Sequence, residues 1–382
     1  MDGNERNGAA RTGDYIVPPG TLACVANVQR IQLGYNNVYV VEASGGRVMV
    51  DAGPDYNGAR EAIHGALGRP PGLVVATHGH LDHAGLGKHW IESGVPVAIG
   101  SHDAHLATTP QLADPAEFER FAAYVRNSGA PSDIGMEVMA GLEQRRRWAL
   151  AAAQRGPYQP IGRDGRWPTG LHYEHFKPST ELRDGDRIKG TSLEVLDCPG
   201  HTPGNLVLID PAEGWLFSGD QLLPELTPTP AVQAKPPGEI SAADWRFRSL
   251  PSFISALRRL HTMEFSRCFP GHGEPFDDVR GTIEANIAQI EQRSGRVAEA
   301  IAEIGRCSLY ALCEAMYPRA SRRRFWQIAS TVQGHLDLLE DEGRVCLVNG
   351  LYEVCLRPPA VLGPVPSARA APGSTWSTSD SA

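Results

Sequence analysis

The chain lacks any apolar run approaching the roughly 18 residues that a membrane-spanning helix needs, so no span is expected. It has no CxxC pair, which removes the spacing typical of zinc ribbons and thioredoxin-like redox sites. It has no excess of positive charge. Lys and Arg number 36 against 44 Asp and Glu, for a formal net charge of −8, which weighs against affinity built on phosphate neutralisation. The opening MDGNERNGAARTGDYIVPPG is polar and has no apolar core of a secretory signal. Together with an odd count of seven cysteines, this sets the expectation of free thiols in a reducing cytoplasm. Hydrophobic residues are not scarce at 41%, so the chain can bury a sizeable core, and 382 residues allow two or three domains. Gly (41) and Pro (30) are abundant and predict many turns.

After a lead over residues 1–14 read as flexible, short β-rich runs at Leu22–Leu33, Asn37–Glu42 and Arg47–Asp51 are separated by Gly-rich turns. A helix is expected over Tyr56–Leu67, a buried strand over Leu73–Ala76, a helix over Leu86–Glu92 and a strand over Val95–Ile99. This alternation predicts a layered α/β domain. Residues 103–180 break the pattern with helices at Glu117–Asn127 and Asp133–Gln154 and a Gly/Pro/aromatic loop, and read as a helical insertion. Strands return at Ser192–Leu196, Leu206–Ile209 and Trp215–Phe217. The segment PTPAVQAKPPGE reads as a loop, followed by a helix at Ala243–Leu260 and a strand near Arg267–Phe269. From Val279 the apolar positions are helical: a first helix, a second at Leu309–Met316 capped by Ser308, and a third at Arg322–Glu342. A hairpin about Asn349-Gly350 follows. Helix, helix, helix, hairpin over 279–357 is the order of a winged helix, and 358–382 reads as a disordered tail.

The chemistry concentrates in His78-Gly79-His80-Leu81-Asp82-His83, where four donors follow one buried strand. Imidazole and carboxylate suit zinc, and also iron or manganese. Three later fragments also end strands with donors: Pro199-Gly200-His201-Thr202, Ser218-Gly219-Asp220 and Pro270-Gly271-His272. Another strand ends in Asp51-Ala52-Gly53.

This set resembles the metallo-β-lactamase superfamily over roughly residues 22–278, with a ligand set like that of its glyoxalase II and lactonase members. The resemblance implies an αββα sandwich over residues 15–278 with a binuclear site on one edge. His78, His80 and His201 would hold one divalent metal, Asp82, His83 and His272 a second, and Asp220 would bridge them, while Asp51 would hold the loops from behind. The metals are expected to be zinc, with iron or manganese as alternatives. A metal-bridging hydroxide would attack a small acyl substrate, with Asp82 orienting it or carrying a proton to the leaving group. The fragments SGDQLLPELTP, PGHGEPFDDVR and ASTVQGHLDLLEDEGRV extend the resemblance, to about residue 357, to hydrolases with an associated C-terminal winged helix.

Thr77 and Thr202 flank ligands and are candidates for supporting hydrogen bonds. His172, Tyr173 and His175 are candidates for lining a substrate pocket, whereas Arg145–Arg147 read as a solvated helix face in preference to a site for an anionic substrate such as coenzyme A or nucleic-acid phosphate. The region 279–357 has ten arginines, no lysine and ten carboxylates, a neutral balance that favours a structural or dimer-forming role, or a wall for the active-site cleft, over DNA binding. The leading expectation is a cytoplasmic hydrolase of thioesters, esters or lactones, acting on a small molecule without nucleic acid or membrane, with a homodimer left open. The alternatives are a metal-dependent nuclease or phosphodiesterase, a mononuclear iron persulfide dioxygenase, and a ligand-sensing DNA-binding regulator.

Overall fold

The computed structural model describes residues 25–110, 112–154, 156, 158, 168–225, 231–241 and 244–355. The expected lead at 1–14, the tail at 358–382 and Cys24 lie outside the described residues. The chain starts with an antiparallel run of β1 (Val25–Leu33), β2 (Asn36–Ala43) and β3 (Gly46–Val50). Helix α1 (Ala59–Leu67) leads to β4 (Leu73–Ala76), short helices α2 (Leu81–Ala84) and α3 (Gly87–Glu92), and β5 (Val97–Gly100). Then come α4 (Ala104–Thr108), α5 (Pro115–Asn127), α6 (Ser132–Ala152) and β6 (Thr180–Leu182). Strands β7 (Glu194–Asp197), β8 (Leu206–Asp210) and β9 (Trp215–Gly219) precede a short ribbon of β10 (Gln233–Ala234) and β11 (Arg246–Phe247). Helix α7 (Ser249–His261), β12 (Arg267–Pro270), α8 (Val279–Ile304), α9 (Leu309–Met316), α10 (Phe325–Asp341), β13 (Val345–Val348) and β14 (Leu351–Val354) complete the order.

Strands β1 to β6 form one six-stranded sheet in sequence order, and β12-β9-β8-β7 form a second of four strands. Alternation along each strand sorts the side chains between two faces. In β2, Tyr39 and Val41 face the second sheet and meet Leu208, Phe217 and Phe269, while Val38 and Val40 face outward. The outer face of the first sheet is covered by Ala59, Ile63 and Leu67 of α1 and by Trp90 of α3. The outer face of the second is covered by Phe253, Ile254 and Leu257 of α7 with Ile283 and Ile290 of α8. The layers therefore run helix, sheet, sheet, helix, as the fold expectation required.

Helix α8 is long enough to serve two cores. Its first half packs on the second sheet, while Val297 and Ile301 enter another core with Leu312, Val332, Leu336 and Tyr352. The same core receives Phe121 and Val125 of α5 and Ile134, Val138 and Leu142 of α6. The helices between residues 103 and 180 are thus not a free-standing insertion. They share a core with the C-terminal helices, tied by Tyr124 Oη, which donates to Gln333 Oε1 at 2.9 Å.

Three expectations need correction. The segment read as a plain loop after Pro228 contains β10, which pairs with β11 and delays the next helix to Ser249. Strand β6, which the sequence did not suggest, adds a sixth strand beside β5. The expectation of free thiols throughout fails at Cys346 and Cys355, which form a disulfide, whereas Cys198, Cys268, Cys307 and Cys313 are free and buried. The hairpin register causes the pairing: Val345 lies opposite Val354, the Cys355 N–H donates to Arg344 O, and the two Cα atoms sit 5.5 Å apart. No helix among the described residues is long and apolar enough to cross a membrane.

Candidate metal centre

The sandwich gathers the sequence-singled donors at one edge because each lies in the loop leaving a strand. Asp51 follows β3, Thr77 to His83 follow β4, His201 lies between β7 and β8, Asp220 follows β9 and His272 follows β12. The two sheets are pinned together at this edge. Tyr39 Oη donates to Pro270 O at 2.8 Å, and Asn37 Nδ2 donates to Pro270 O and Gly273 O at 3.0 and 2.6 Å. Gly271 must be glycine: a Cβ there would lie 2.7 Å from His83 Cε1 and 2.8 Å from Asp220 Oδ1.

Three overlapping donor sets result: His78/His80/His201 and Asp82/His83/His272 form two adjoining groups, and His78/His83/Asp220 links them. His80 Nδ1 lies 3.0 Å from both His78 Nε2 and His201 Nε2. His83 Nε2 and His272 Nε2 are 3.4 Å apart, and each is 3.3 Å from Asp220 Oδ1. Asp220 Oδ2 faces the other group, 3.3 Å from His201 Nε2. Asp82 Oδ2 lies 3.5 Å from His272 Nε2. Donors held at roughly 2.1 Å from one tetrahedral ion stand about 3.4 Å from each other, so this spacing fits a cation at each group. Buried Asp220 Oδ1 has no hydrogen-bond donor among the described residues, as expected of an oxygen reserved for a metal.

The surrounding hydrogen bonds set the tautomers. Thr77 Oγ1 and the Thr77 N–H donate to Asp51 Oδ1 at 2.9 and 2.8 Å, leaving the hydroxyl oxygen to accept from His78 Nδ1 at 3.1 Å. His83 Nδ1 donates to Asp51 Oδ2 at 2.8 Å, and His272 Nδ1 donates to Tyr35 O at 3.2 Å. Each of the three histidines then turns Nε2 toward the cluster. Asp51 holds this arrangement from a left-handed backbone conformation, φ 66°.

Burial lowers the pKa of His78 well below the usual value, helped by the neighbouring imidazoles, and takes His201 to about 3. Both are therefore neutral and have a lone pair to offer. Burial acts in the same direction on His83, but Asp220, Asp51 and Asp82 overcome it and raise that pKa well above normal. Burial would raise Asp220, yet His83 and His272 hold it well below the usual carboxylate range. The surrounding carboxylates thus favour positive charge within the cluster.

Two supporting residues escaped sequence reasoning. Asp103, fully buried, accepts from Gly79 N–H at 2.9 Å, Thr202 Oγ1 at 2.6 Å and Gly204 N–H at 2.6 Å. It ties the loop of His78 and His80 to that of His201, and it is the partner that gives Thr202 a supporting place. Gln233 Nε2 donates to His201 O at 2.7 Å from the unanticipated ribbon. The only signal for Asp103 was its place just after strand β5.

A cavity of about 510 Å³ opens beside His80, walled by Leu81, Leu106, Trp148 and Ala152. Tyr173 and His175 line it. Tyr173 Oη donates to Gly79 O at 3.1 Å, so its proton supports the ligand loop. His172 is not on the cavity wall. Its ring stacks on Tyr158 at 4.1 Å, and it bridges Asp55 through the backbone. Arg145, read as part of a solvated face, is exposed and also lines the cavity.

The model of the metallo-beta-lactamase superfamily matches residues 31–272, which contain every donor above. The chain belongs to that superfamily. Among relatives of this superfamily member, a probable metallo-hydrolase of Bacillus subtilis, YqjP, is 26% identical over 80% of this chain and 88% of its own. An acyl-coenzyme A thioesterase of Gallus gallus, MBLAC2, is 29% identical over 48% of this chain and 56% of its own. A metallo-beta-lactamase family protein of Thermus thermophilus, at 21% identity, superposes with a TM-score of 0.61 over 86% of this chain and 98% of its own. A beta-lactamase domain protein of Burkholderia ambifaria does so with 0.60 over 90% and 97%, at 20% identity. The two structures share the fold.

Proposed function

We propose that this protein is a binuclear metal-dependent hydrolase of small acyl substrates, cleaving a thioester, ester or lactone. The observation that carries the proposal is the pair of donor groups, with Asp220 between them, beside a largely apolar cavity that His80 lines. His78, His80 and His201 would hold one ion, Asp82, His83 and His272 the other, and Asp220 both. Bound there, divalent cations, zinc foremost, lower the pKa of water toward neutrality and polarise a carbonyl. The residues of the chain do the rest. Asp82 Oδ2, directed into the cluster, orients water or carries its proton to the leaving group. Asn36 Nδ2 donates to the Asp82 backbone O at 3.0 Å and reaches its carboxylate Oδ2 at 3.4 Å, which helps to place that carboxylate. Leu81, Leu106 and Trp148 exclude water around the acyl group, and Tyr173 holds the Gly79 carbonyl and so the His78–His80 loop.

The thioesterase names among the relatives, including an atrochrysone carboxyl ACP thioesterase 24% identical over 35% of this chain, support the acyl reading. The C-terminal elements α8 to β14 are read as a winged helix, and the protein as cytoplasmic. A panel of acyl thioesters, esters, lactones and phosphodiesters tests the proposal. Turnover of an acyl substrate, lost on chelation and restored by metal, is expected. Turnover of phosphodiesters alone would reject the acyl reading.

A further inference from the structure

The cavity beside His80 continues past the donor cluster along α6. It shares Gly141 and Arg145 with a second hollow of about 270 Å³, lined by Arg322 and Arg323 just ahead of α10. A smaller hollow between α6 and the β10 segment also contains both His80 and Arg145. Arg145 thus stands where the three meet. Its neighbours Arg146 and Arg147 pair with Glu143, and Arg322 pairs with Asp133 at 2.8 Å. Among the described residues, neither Arg145 nor Arg323 meets a carboxylate. Arg145 is open to solvent by area but walled by protein, and this desolvation lowers its pKa. A guanidinium kept in a concave wall without a counter-ion is set up to receive one from a ligand.

We propose that Arg145, with Arg323, binds the phosphates of a coenzyme A-type leaving group, so that the C-terminal unit completes the substrate site. The proposal rests on the acyl-hydrolase reading and adds what the thiol half must be. The two ends of the track differ in chemistry. Leu81, Leu106, Trp148 and Ala152, beside His80, offer only apolar contact and suit an acyl chain. From Arg145 to Ile134, the far end of the second hollow on α6, the helix rises about 16 Å, so a ligand that runs the length of this hollow from Arg145 is an extended carrier. A short carboxylate-bearing thiol would reach Arg145 alone. In the reaction, a water oxygen forms the new acyl C–O bond and the C–S bond breaks. The sulfur leaves as a thiol with one water proton, and the other proton passes to solvent as the acid ionises. The phosphates take no part and serve only to place the carbonyl.

Calorimetry of the metal-loaded protein with S-methyl-coenzyme A, which has no free thiol to ligate metal, tests the site without turnover. Binding is expected to weaken about tenfold in each of Arg145→Gln and Arg323→Gln, the loss typical of one charge-assisted contact. It is expected to weaken with salt, and to persist in Arg319→Gln, an exposed arginine outside the hollows. S-methyl-glutathione is expected to bind more weakly than S-methyl-coenzyme A and to ignore Arg323→Gln. Equal affinity for the two carriers, unchanged affinity in both arginine variants, or no binding would overturn the proposal. Arginine-dependent binding without hydrolysis of any acyl compound would reject the hydrolase reading and leave the anion site standing. Hydrolysis of esters without such binding would reject the anion site alone.

Discussion

Replacing Asp103 by alanine should damage the metal centre without touching a metal donor. The carboxylate accepts two backbone N–H groups and one hydroxyl at 2.6–2.9 Å, all fully buried. Hydrogen bonds to a charged group contribute about 1.5–3 kcal/mol each. Three of them would sum higher than any single substitution normally costs, because the loops relax and water enters the space left. A loss of about 3–5 kcal/mol is therefore expected, the range found when one partner of a buried charged network is removed. The loops that relax are those carrying His78, His80 and His201, so metal affinity at that group should fall about 10–100-fold, as for other supporting residues. Asp103→Asn keeps the shape and one acceptor oxygen but turns an NH2 toward a donor, so its loss should be smaller. Urea unfolding with and without metal, together with a chelator competition titration, reads both effects. Asp103→Ala within about 1 kcal/mol of the parent, with unchanged metal affinity, would refute the idea that Asp103 sets the His80–His201 geometry.

Arg246 pairs with Asp337, whose side chain is 1% exposed and also accepts from Gln333 Nε2 at 2.8 Å. Arg246→Met should cost about 3–5 kcal/mol in thermal or chemical unfolding by stranding that carboxylate, and Asp337→Asn should relieve part of the loss in the double variant. His335 donates to or accepts from Ser294 Oγ at 2.9 Å, and burial, with Arg293 and Arg296 nearby, lowers its pKa to about 4. The unfolded chain binds this proton first, so its contribution to stability is complete above about pH 6.5 and is lost as pH falls toward 4, roughly 1.4 kcal/mol per pH unit. His335→Gln should flatten that part of the pH–stability curve, and an unchanged slope would contradict the assignment. Gly271→Ala should lower metal content with little change in circular dichroism, because its Cβ would press on His83 and Asp220.

The donors were legible because each belongs to a short strand-end motif whose residue types have few other uses together. The hairpin was legible because Asn349 and Gly350, at φ 50° and 76°, are the residues that tolerate its turn. Asp103 was not, since a lone Asp after a strand looks like any helix cap until Thr202 and Gly204 arrive from a hundred residues away. Arg145 was hidden in a run of three arginines, and only the packing of α6 against α10 shows that one of them faces a cavity. Cys346 and Cys355 needed the strand register. His172 looked equivalent to Tyr173 and His175 by sequence, but its ring is directed to Tyr158 and the other two to the cavity. Local motifs can be read along the chain, whereas long-range partners must be found in the fold.

The donor cluster is proposed to be a catalytic metal centre. The most direct measurement is elemental analysis of the purified protein alongside its acyl-hydrolase rate, before and after chelation and in Asp220→Ala. Two divalent ions per chain are expected, both depleted in the variant, with turnover vanishing on chelation and returning when metal is restored. Hydrolysis that survives complete removal of metal, or an intact protein that binds no metal, would contradict the account.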